Sequence, residues 1–187
     1  MAENDYLTEE DKKQLLSVAR DAIKRAIEKK NPAPMPNSLP EKFMEPRATF
    51  ATLHAKDGSL RGCIGNIEPY EPLYASVAHN ARNAALHDPR FPAVTCVDEL
   101  DSLKVEVSVL SPPEEIPSYE DFKVGEHGVI LRKGPRGAVF LPQVPVEQGW
   151  DAETTLTNLS LKAGLAPDAW KEEDCRFKVF NAVCFSE

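Results

Sequence analysis

The part of this sequence best suited to chemistry is Arg61-Gly62-Cys63-Ile64-Gly65-Asn66, where a thiol and a cation stand among glycines. A glycine inside a strand loses packing and conformational entropy, and the usual compensation is a bulge or the close approach of a ligand or another backbone. A thiol between Gly62 and Gly65 would be accessible, and Arg61 would bind an anion and favour the reactive thiolate. The alternative is a β-bulge in which Cys63 is buried as a small hydrophobic residue.

A second unusual segment is the predicted helix over residues 73–87, in which Arg82 is the only charged residue. Solvent-facing helix surfaces normally carry Lys and Glu, which are good helix formers and easily solvated. Here a neutral polar set recurs at helical spacing instead: Ser76, Asn80, Asn83 and His87. This stripe indicates either the lining of a pocket or an internal helix whose amides bind nearby backbone groups.

Three charged residues follow that helix. Asp88 and Arg90 flank a proline, which predicts a carboxylate–guanidinium brace across a loop. Glu106 lies on a predicted strand over residues 102–110, on the face opposite to its valines. If helices cover both faces of the sheet, Glu106 must be paired or functional.

The elements that position these residues predict an α+β fold. Apolar and polar residues alternate on either side of a turn at 56–59, and a helix and a strand follow. The same β-β-α-β order returns between residues 128 and 185, where Arg136-Gly137 takes the place of Arg61-Gly62. We therefore predict a two-lobed single domain with an antiparallel or mixed sheet and helices packed on it. It is built from two β-β-α-β-like units, with interlocked lobes of roughly 1–111 and 112–187.

Composition excludes several classes of protein. The 187 residues carry a formal net charge of −8, which argues against nucleic-acid binding and against an anionic membrane surface. No segment approaches a membrane span, and the first residues are too acidic for a signal peptide. The cysteines form no CxxC pair and no His–Cys cluster, so we expect reduced thiols, no metal and no cofactor in a cytoplasmic protein. Apolar neighbours predict that the other three are in the core or partly buried: Cys96, Cys175 and Cys184.

The segment Leu60-Arg61-Gly62-Cys63-Ile64-Gly65 resembles the LRGCIG signature of the AMMECR domain family, called AmmeMemoRadiSam system protein A in prokaryotes. The resemblance covers essentially residues 7–187 and continues through further segments, among them Asn80–Ala85, Asp88–Phe91, Val105–Leu110, His127–Leu131 and Gly149–Asp151.

The resemblance implies a compact two-lobed α+β domain without an established activity. Because prokaryotic members are associated with a MEMO-like protein and a radical SAM enzyme, it implies an accessory component of a shared pathway. Such a component would bind a small ligand or a protein partner around the motif. The signature cysteine carries over to Cys63, and the candidate binding residues are Arg61, Gly62, Gly65, Asn80, Asn83, His87, Asp88, Arg90 and Glu106.

The alternative is an enzyme in which Cys63 is a nucleophile or a redox thiol. His54 is predicted on the neighbouring strand of the same hairpin, where it could act as the base that activates the thiol. No second motif fixes both a base and the group that orients it.

Overall fold

The computed structural model describes residues 6–34, 36 and 38–187. The chain forms two compact units, of which the first contains the residues up to Leu110 together with Val183–Glu187. The second unit is Ser111–Ala182. The α-helices of the described residues are α1 (Glu9–Ile27), α2 (Leu73–Leu86), α3 (Val97–Ser102), α4 (Gln143–Gln148) and α5 (Ala152–Lys162).

Helix α1 follows Thr8, a residue type that is strongly preferred at the N-cap position. The Thr8 hydroxyl accepts the N–H of Asp11 at 3.2 Å, and the Asp11 carboxylate accepts the N–H of Thr8 at 2.7 Å. This capping box satisfies two amides that the first turn leaves without partners. The apolar stripe of α1 packs on α2, so the two helices together form one side of the first unit's core.

The first sheet has the strand order β2-β1-β3-β8, and β1 is antiparallel to both of its neighbours. Ala51, Leu53 and Val105 point into the core that α1 and α2 complete. Side chains alternate across a sheet, so the residues between them lie on the face away from these helices. The strands are β1 (Thr49–His54), β2 (Leu60–Gly65), β3 (Lys104–Leu110) and β8 (Ala182–Ser186). We call the outer set the polar sheet face: Thr52, His54, Cys63, Glu106 and Ser108.

The second sheet has the order β4-β7-β5-β6. Leu156 and Leu159 of α5 are buried in its core beside Phe177. The helix is capped by Asp151 and is followed by Gly164 at φ +71°, as its sequence predicts. The strands of this second sheet are β4 (Glu114–Ile116), β5 (Gly128–Lys133), β6 (Arg136–Phe140) and β7 (Arg176–Phe180).

The prediction of two β-β-α-β units is confirmed by the topology. In each sheet a hairpin is followed by helical structure and by a strand that pairs with the hairpin's first strand. Gly62 stands opposite Leu53, and Gly137 stands opposite Arg132, so both Arg-Gly dipeptides lie on the outer strand of a hairpin.

The C-terminal segment differs from the prediction in one respect. The sequence predicts a single strand over residues 175–185, but the structure divides it at Asn181. The N–H and C=O of Asn181 bind Ser111 instead of a neighbouring strand. Beyond Asn181, β8 joins the sheet of the first unit. The predicted lobes 1–111 and 112–187 therefore differ from the observed units at Val183–Glu187, which belong to the first unit.

Candidate functional site

The two glycines of the motif are explained by packing. A Cβ atom on Gly62 would overlap the carbonyl oxygen of Ala84 in α2, and one on Gly65 would overlap the ring of Phe50 on the opposite strand. Gly62 therefore allows the close approach of a helix backbone, and Gly65 allows an aromatic ring to cover the strand. Neither glycine opens a path to the thiol of Cys63.

Arg61 lies at a β-bulge. Leu53 pairs with Gly62 and His54 pairs with Leu60, which leaves Arg61 as an extra residue on β2. Its guanidinium donates to one carboxylate oxygen of Glu99, at 3.0 and 2.7 Å. The bulge of the predicted alternative is therefore present, although Cys63 is only partly buried, and the bulge directs Arg61 to a carboxylate in α3. Arg61 is therefore bound to Glu99 and is not the cation expected next to the thiol.

Cys63 is half-buried, and side chains bind it at three points. The Thr52 hydroxyl donates to Cys63 Sγ at 3.3 Å. The main-chain N–H of Cys63 donates to Asp88 Oδ2 at 2.8 Å, and its carbonyl accepts from Arg90 Nη2 at 3.1 Å. Because β2 is the edge of its sheet, Asp88 and Arg90 occupy the place of a neighbouring strand and prevent another edge from pairing there.

The Asp88–Arg90 brace predicted from the sequence is present. Arg90 donates to both carboxylate oxygens of Asp88, at 3.0 and 2.7 Å. These bonds above all, with the N–H groups of Cys63 and Arg90, hold the pKa of the buried Asp88 far below its ordinary range. The pKa of Arg90 is raised, chiefly by Asp88 and also by the nearby Cys63 thiol. The side chain of Arg90 is 55% exposed, so its charge is open to solvent next to the Cys63 carbonyl.

A thiol, a hydroxyl and a carboxylate stand side by side on the polar sheet face. Thr52 is directly opposite Cys63 on one side and Glu106 on the other. His54 Nε2 lies 3.9 Å from Glu106 Oε2, and both side chains are about 30% exposed. A cavity of about 740 Å³ borders this pair, with Lys104 also in its lining. The polar sheet face therefore offers donors, acceptors and both signs of charge.

The other cysteines are placed differently from the prediction. Cys96 and Cys184 are exposed, and only Cys175 is buried. Although the residue is exposed as a whole, the Cys184 sulfur packs 3.2 Å from the hydroxyl of the buried Ser108, and this desolvation raises the pKa of its thiol, as does the charge of Glu106. Three strand spacings separate β8 from β2, about 14 Å, so Cys184 and Cys63 are too far apart for a disulfide.

The neutral stripe of α2 is mainly an internal network. The side-chain amide of Asn80 donates to the Thr49 carbonyl at 3.0 Å and to Asn66 Oδ1 at 2.7 Å. Ser76 is buried and bonds the Thr49 hydroxyl at 2.8 Å. Asn83 is only partly buried and His87 is exposed, so both lie outside the network. The network holds the chain that leaves β2 at Asn66, directly after the motif.

Replacing Asn80 with leucine should lower the free energy of unfolding by about 1–3 kcal/mol, because Asn66 and Thr49 would lose buried hydrogen bonds. Urea denaturation followed by circular dichroism measures the change. Asn83→Leu is the matched control, since Asn83 has no side-chain hydrogen bond among the described residues, and it should cost under about 0.5 kcal/mol. Equal losses in the two variants would contradict the structural role of Asn80.

Two searches of the described residues complete the description. No group of three or more His, Cys, Asp or Glu side chains there is arranged to hold a metal ion. No helix among those residues combines the length and apolar character needed to cross a membrane.

Comparison with known proteins matches nearly the whole chain. The AMMECR1 family model matches residues 16–185. Protein MK0488 of Methanopyrus kandleri is 42% identical over 196 residues, which cover 98% of this chain and 91% of the relative. Protein MJ0810 of Methanocaldococcus jannaschii is 48% identical over 157 residues, covering 80% and 78%. The crystal structure of uncharacterized protein PH0010 from Pyrococcus horikoshii has a TM-score of 0.89 at 39% identity, covering 97% of this chain and 93% of that one.

Proposed function

The chain belongs to the AMMECR1 family, and from this premise we propose that it is an accessory binding protein that acts through its polar sheet face. We propose that a small polar ligand or a protein partner binds around Cys63. We also propose that the protein acts in one pathway with a MEMO-like protein and a radical SAM enzyme. The names of these relatives describe no activity, so the proposal is supported by the geometry of this face.

The observation that carries the proposal is the way Cys63 is held. Both main-chain polar groups of Cys63 are bound by Asp88 and Arg90, and Asp88 is almost fully buried. The side chain is nevertheless partly exposed, next to the Thr52 hydroxyl and near the half-exposed guanidinium of Arg90. A fixed backbone with an open polar side chain is what preorganised binding requires.

The charges on the face indicate how a ligand would be oriented. An anionic group would bind at Arg90, because the guanidinium keeps exposed N–H donors after its bonds to Asp88 are made. A hydrogen-bond donor or a cation would bind at Glu106, next to Thr52. A ligand or a partner surface that carries both groups would match the face.

The proposal is tested with purified partners. The full chain would be titrated calorimetrically with the MEMO-like protein and with the radical SAM enzyme of the same organism, each alone. Thr52→Arg should weaken binding at least tenfold, because it places a long cation in the middle of the face. Cys96→Arg is the control, since Cys96 is exposed elsewhere in the first unit. Failure of both partners to bind would overturn the partner proposal, and equal weakening by both variants would overturn the site.

The second candidate is an enzyme that uses Cys63 as a nucleophile or a redox thiol. The half-exposed guanidinium of Arg90, which binds the main-chain carbonyl of Cys63, favours it, because a cation near a cysteine attracts an anionic substrate. The geometry does not support His54 as the activating base in this arrangement, since its ring lies 3.9 Å from Glu106. No hydrogen bond joins His54 to Cys63 within the described part of the chain.

The local charge at Cys63 is measurable by alkylation at pH 7 in a protein carrying Cys96→Ser and Cys184→Ser. Iodoacetate should react faster relative to iodoacetamide than it does with a free thiol, by roughly threefold or more, because Arg90 attracts the anionic reagent. Arg90→Lys should retain this preference and Arg90→Gln should lose it. If neither reagent labels Cys63 in the folded protein, the reactive-thiol candidate is wrong and only a binding face is left.

A further inference from the structure

A separate cleft lies between α1 and α2, on the opposite side of these elements from the polar sheet face. Both helices, together with Pro32 and Ala33 just after α1, line a cavity of about 670 Å³. Cavities of roughly 300–1,000 Å³ accommodate small molecules in proteins. Nothing in the proposed function uses this helix cleft.

The walls of the helix cleft are predominantly apolar. Small side chains of both helices line the cleft, and they leave space between the two helices. Tyr74 and Leu86 at the α2 wall are only partly buried. The apolar lining includes Val18, Ala22, Tyr74, Ala78, Leu86 and Pro32. Such walls bind an apolar molecular body through the area they remove from water.

The charged groups of the helix cleft carry an excess of positive charge. Asp21 is neutralised by Arg25, whose Nε lies 2.7 Å from its carboxylate. Arg82 and Lys29 line the same cavity and have no ionic or hydrogen-bond partner among the described residues. Both side chains are exposed, and they place positive charge beside apolar walls in a protein whose formal net charge is −8. The arrangement is complementary to an anion with an apolar body.

We propose that the helix cleft is a binding site for a small organic anion, a carboxylate carried by an aliphatic or aromatic body. The guanidinium of Arg82 binds the carboxylate, for which its planar pair of donors is suited, and Lys29 adds a second positive charge. The apolar body lies between Ala22 of α1 and Ala78 of α2. This explains the single charged residue of an otherwise neutral helix, because Arg82 then has a ligand to bind.

The test uses octanoate as the probe and octyltrimethylammonium as its cationic counterpart, each titrated into the full chain and followed by amide chemical shifts. Octanoate should shift the amides of Ala22 and Ala78, and the cation should leave them unchanged. Arg82→Gln should weaken octanoate binding about tenfold or more, since it removes a charge-assisted contact. Ala78→Phe should abolish it by filling the cleft. Arg176→Gln, an exposed arginine of the second unit, is the matched control and should bind octanoate normally.

The outcomes separate this site from the polar sheet face. Protein alkylated at Cys63 should bind octanoate unchanged, whatever happens to partner binding. If octanoate and octyltrimethylammonium bind alike, the cleft is an apolar groove without anion selectivity and the proposal is wrong. It is equally wrong if Arg82→Gln leaves octanoate binding unchanged, or if no amide of α1 or α2 shifts at millimolar octanoate.

Discussion

Replacing Gly62 with alanine should lower the free energy of unfolding of the first unit by about 3 kcal/mol or more, the upper range for an overpacked core. The added Cβ would overlap the carbonyl oxygen of Ala84. This atom belongs to the helix backbone, so a side-chain rotation cannot relieve the overlap. Either β2, which contains Cys63, or α2 must move, and the loop that follows α2 carries Asp88 and Arg90, which bind the Cys63 main chain.

Gly137→Ala is the matched control, because Gly137 follows an arginine at the corresponding place of the second hairpin. Its Cβ would lie 3.0 Å from the Leu131 carbonyl oxygen, a tight contact that a small shift relieves. We expect a loss of under about 1 kcal/mol there. Urea unfolding should be followed by circular dichroism and by hydrogen exchange of β2, since both tryptophans, Trp150 and Trp170, lie in the second unit. Similar losses in the two variants would contradict the close helix–strand approach.

Asp88→Ala should lower the free energy of unfolding by about 2–3 kcal/mol at pH 7, the typical value for buried hydrogen bonds to a charged group. The variant leaves the Cys63 N–H without its acceptor and Arg90 without its carboxylate. Arg90 is more than half exposed and can turn to water, which keeps the loss below that of a fully buried ion pair. The iodoacetate preference at Cys63 should fall as well, because Arg90 is no longer held beside the sulfur.

The contribution of Asp88 should depend on pH with a definite sign. Its pKa is lower in the folded protein than in the unfolded chain, so folding is favoured when the carboxylate is ionised. The contribution is complete above the unfolded pKa, near 3.9. It decreases as the pH falls below that value toward the lower folded pKa. The difference between wild type and Asp88→Ala should therefore be constant from pH 7 to about 5 and shrink at lower pH.

Asp168→Ala serves as the control for the pH series, because Asp168 is exposed and its side chain makes no capping hydrogen bond. The plot of its free energy of unfolding against pH should run parallel to that of the wild type over the whole pH range. If the Asp88→Ala curve also stays parallel down to pH 3, the carboxylate does not contribute as described. The brace would then act through its shape and not through its charge.

Much of the fold is predictable from the sequence because its signals are local. The cap at Thr8, the alternation in the first hairpin and the glycine after α5 each depend on residues a few positions apart. The repeated order of elements follows from these signals, and with it the place of Arg136 in the second unit. The Asp88–Arg90 brace is likewise predictable, since its two members are separated by a single proline.

The tertiary structure decides which side chains meet around Cys63. The sequence places Arg61 nearest to the thiol, but one extra residue in β2 turns Arg61 to Glu99. The cation that contacts Cys63 is instead Arg90, which lies 27 positions further along the chain. Likewise, Gly62 is required by a helix that returns to the strand more than twenty residues later. Bulges and close approaches between distant segments depend on packing in three dimensions, so the sequence alone determines the elements and only the fold determines their contacts.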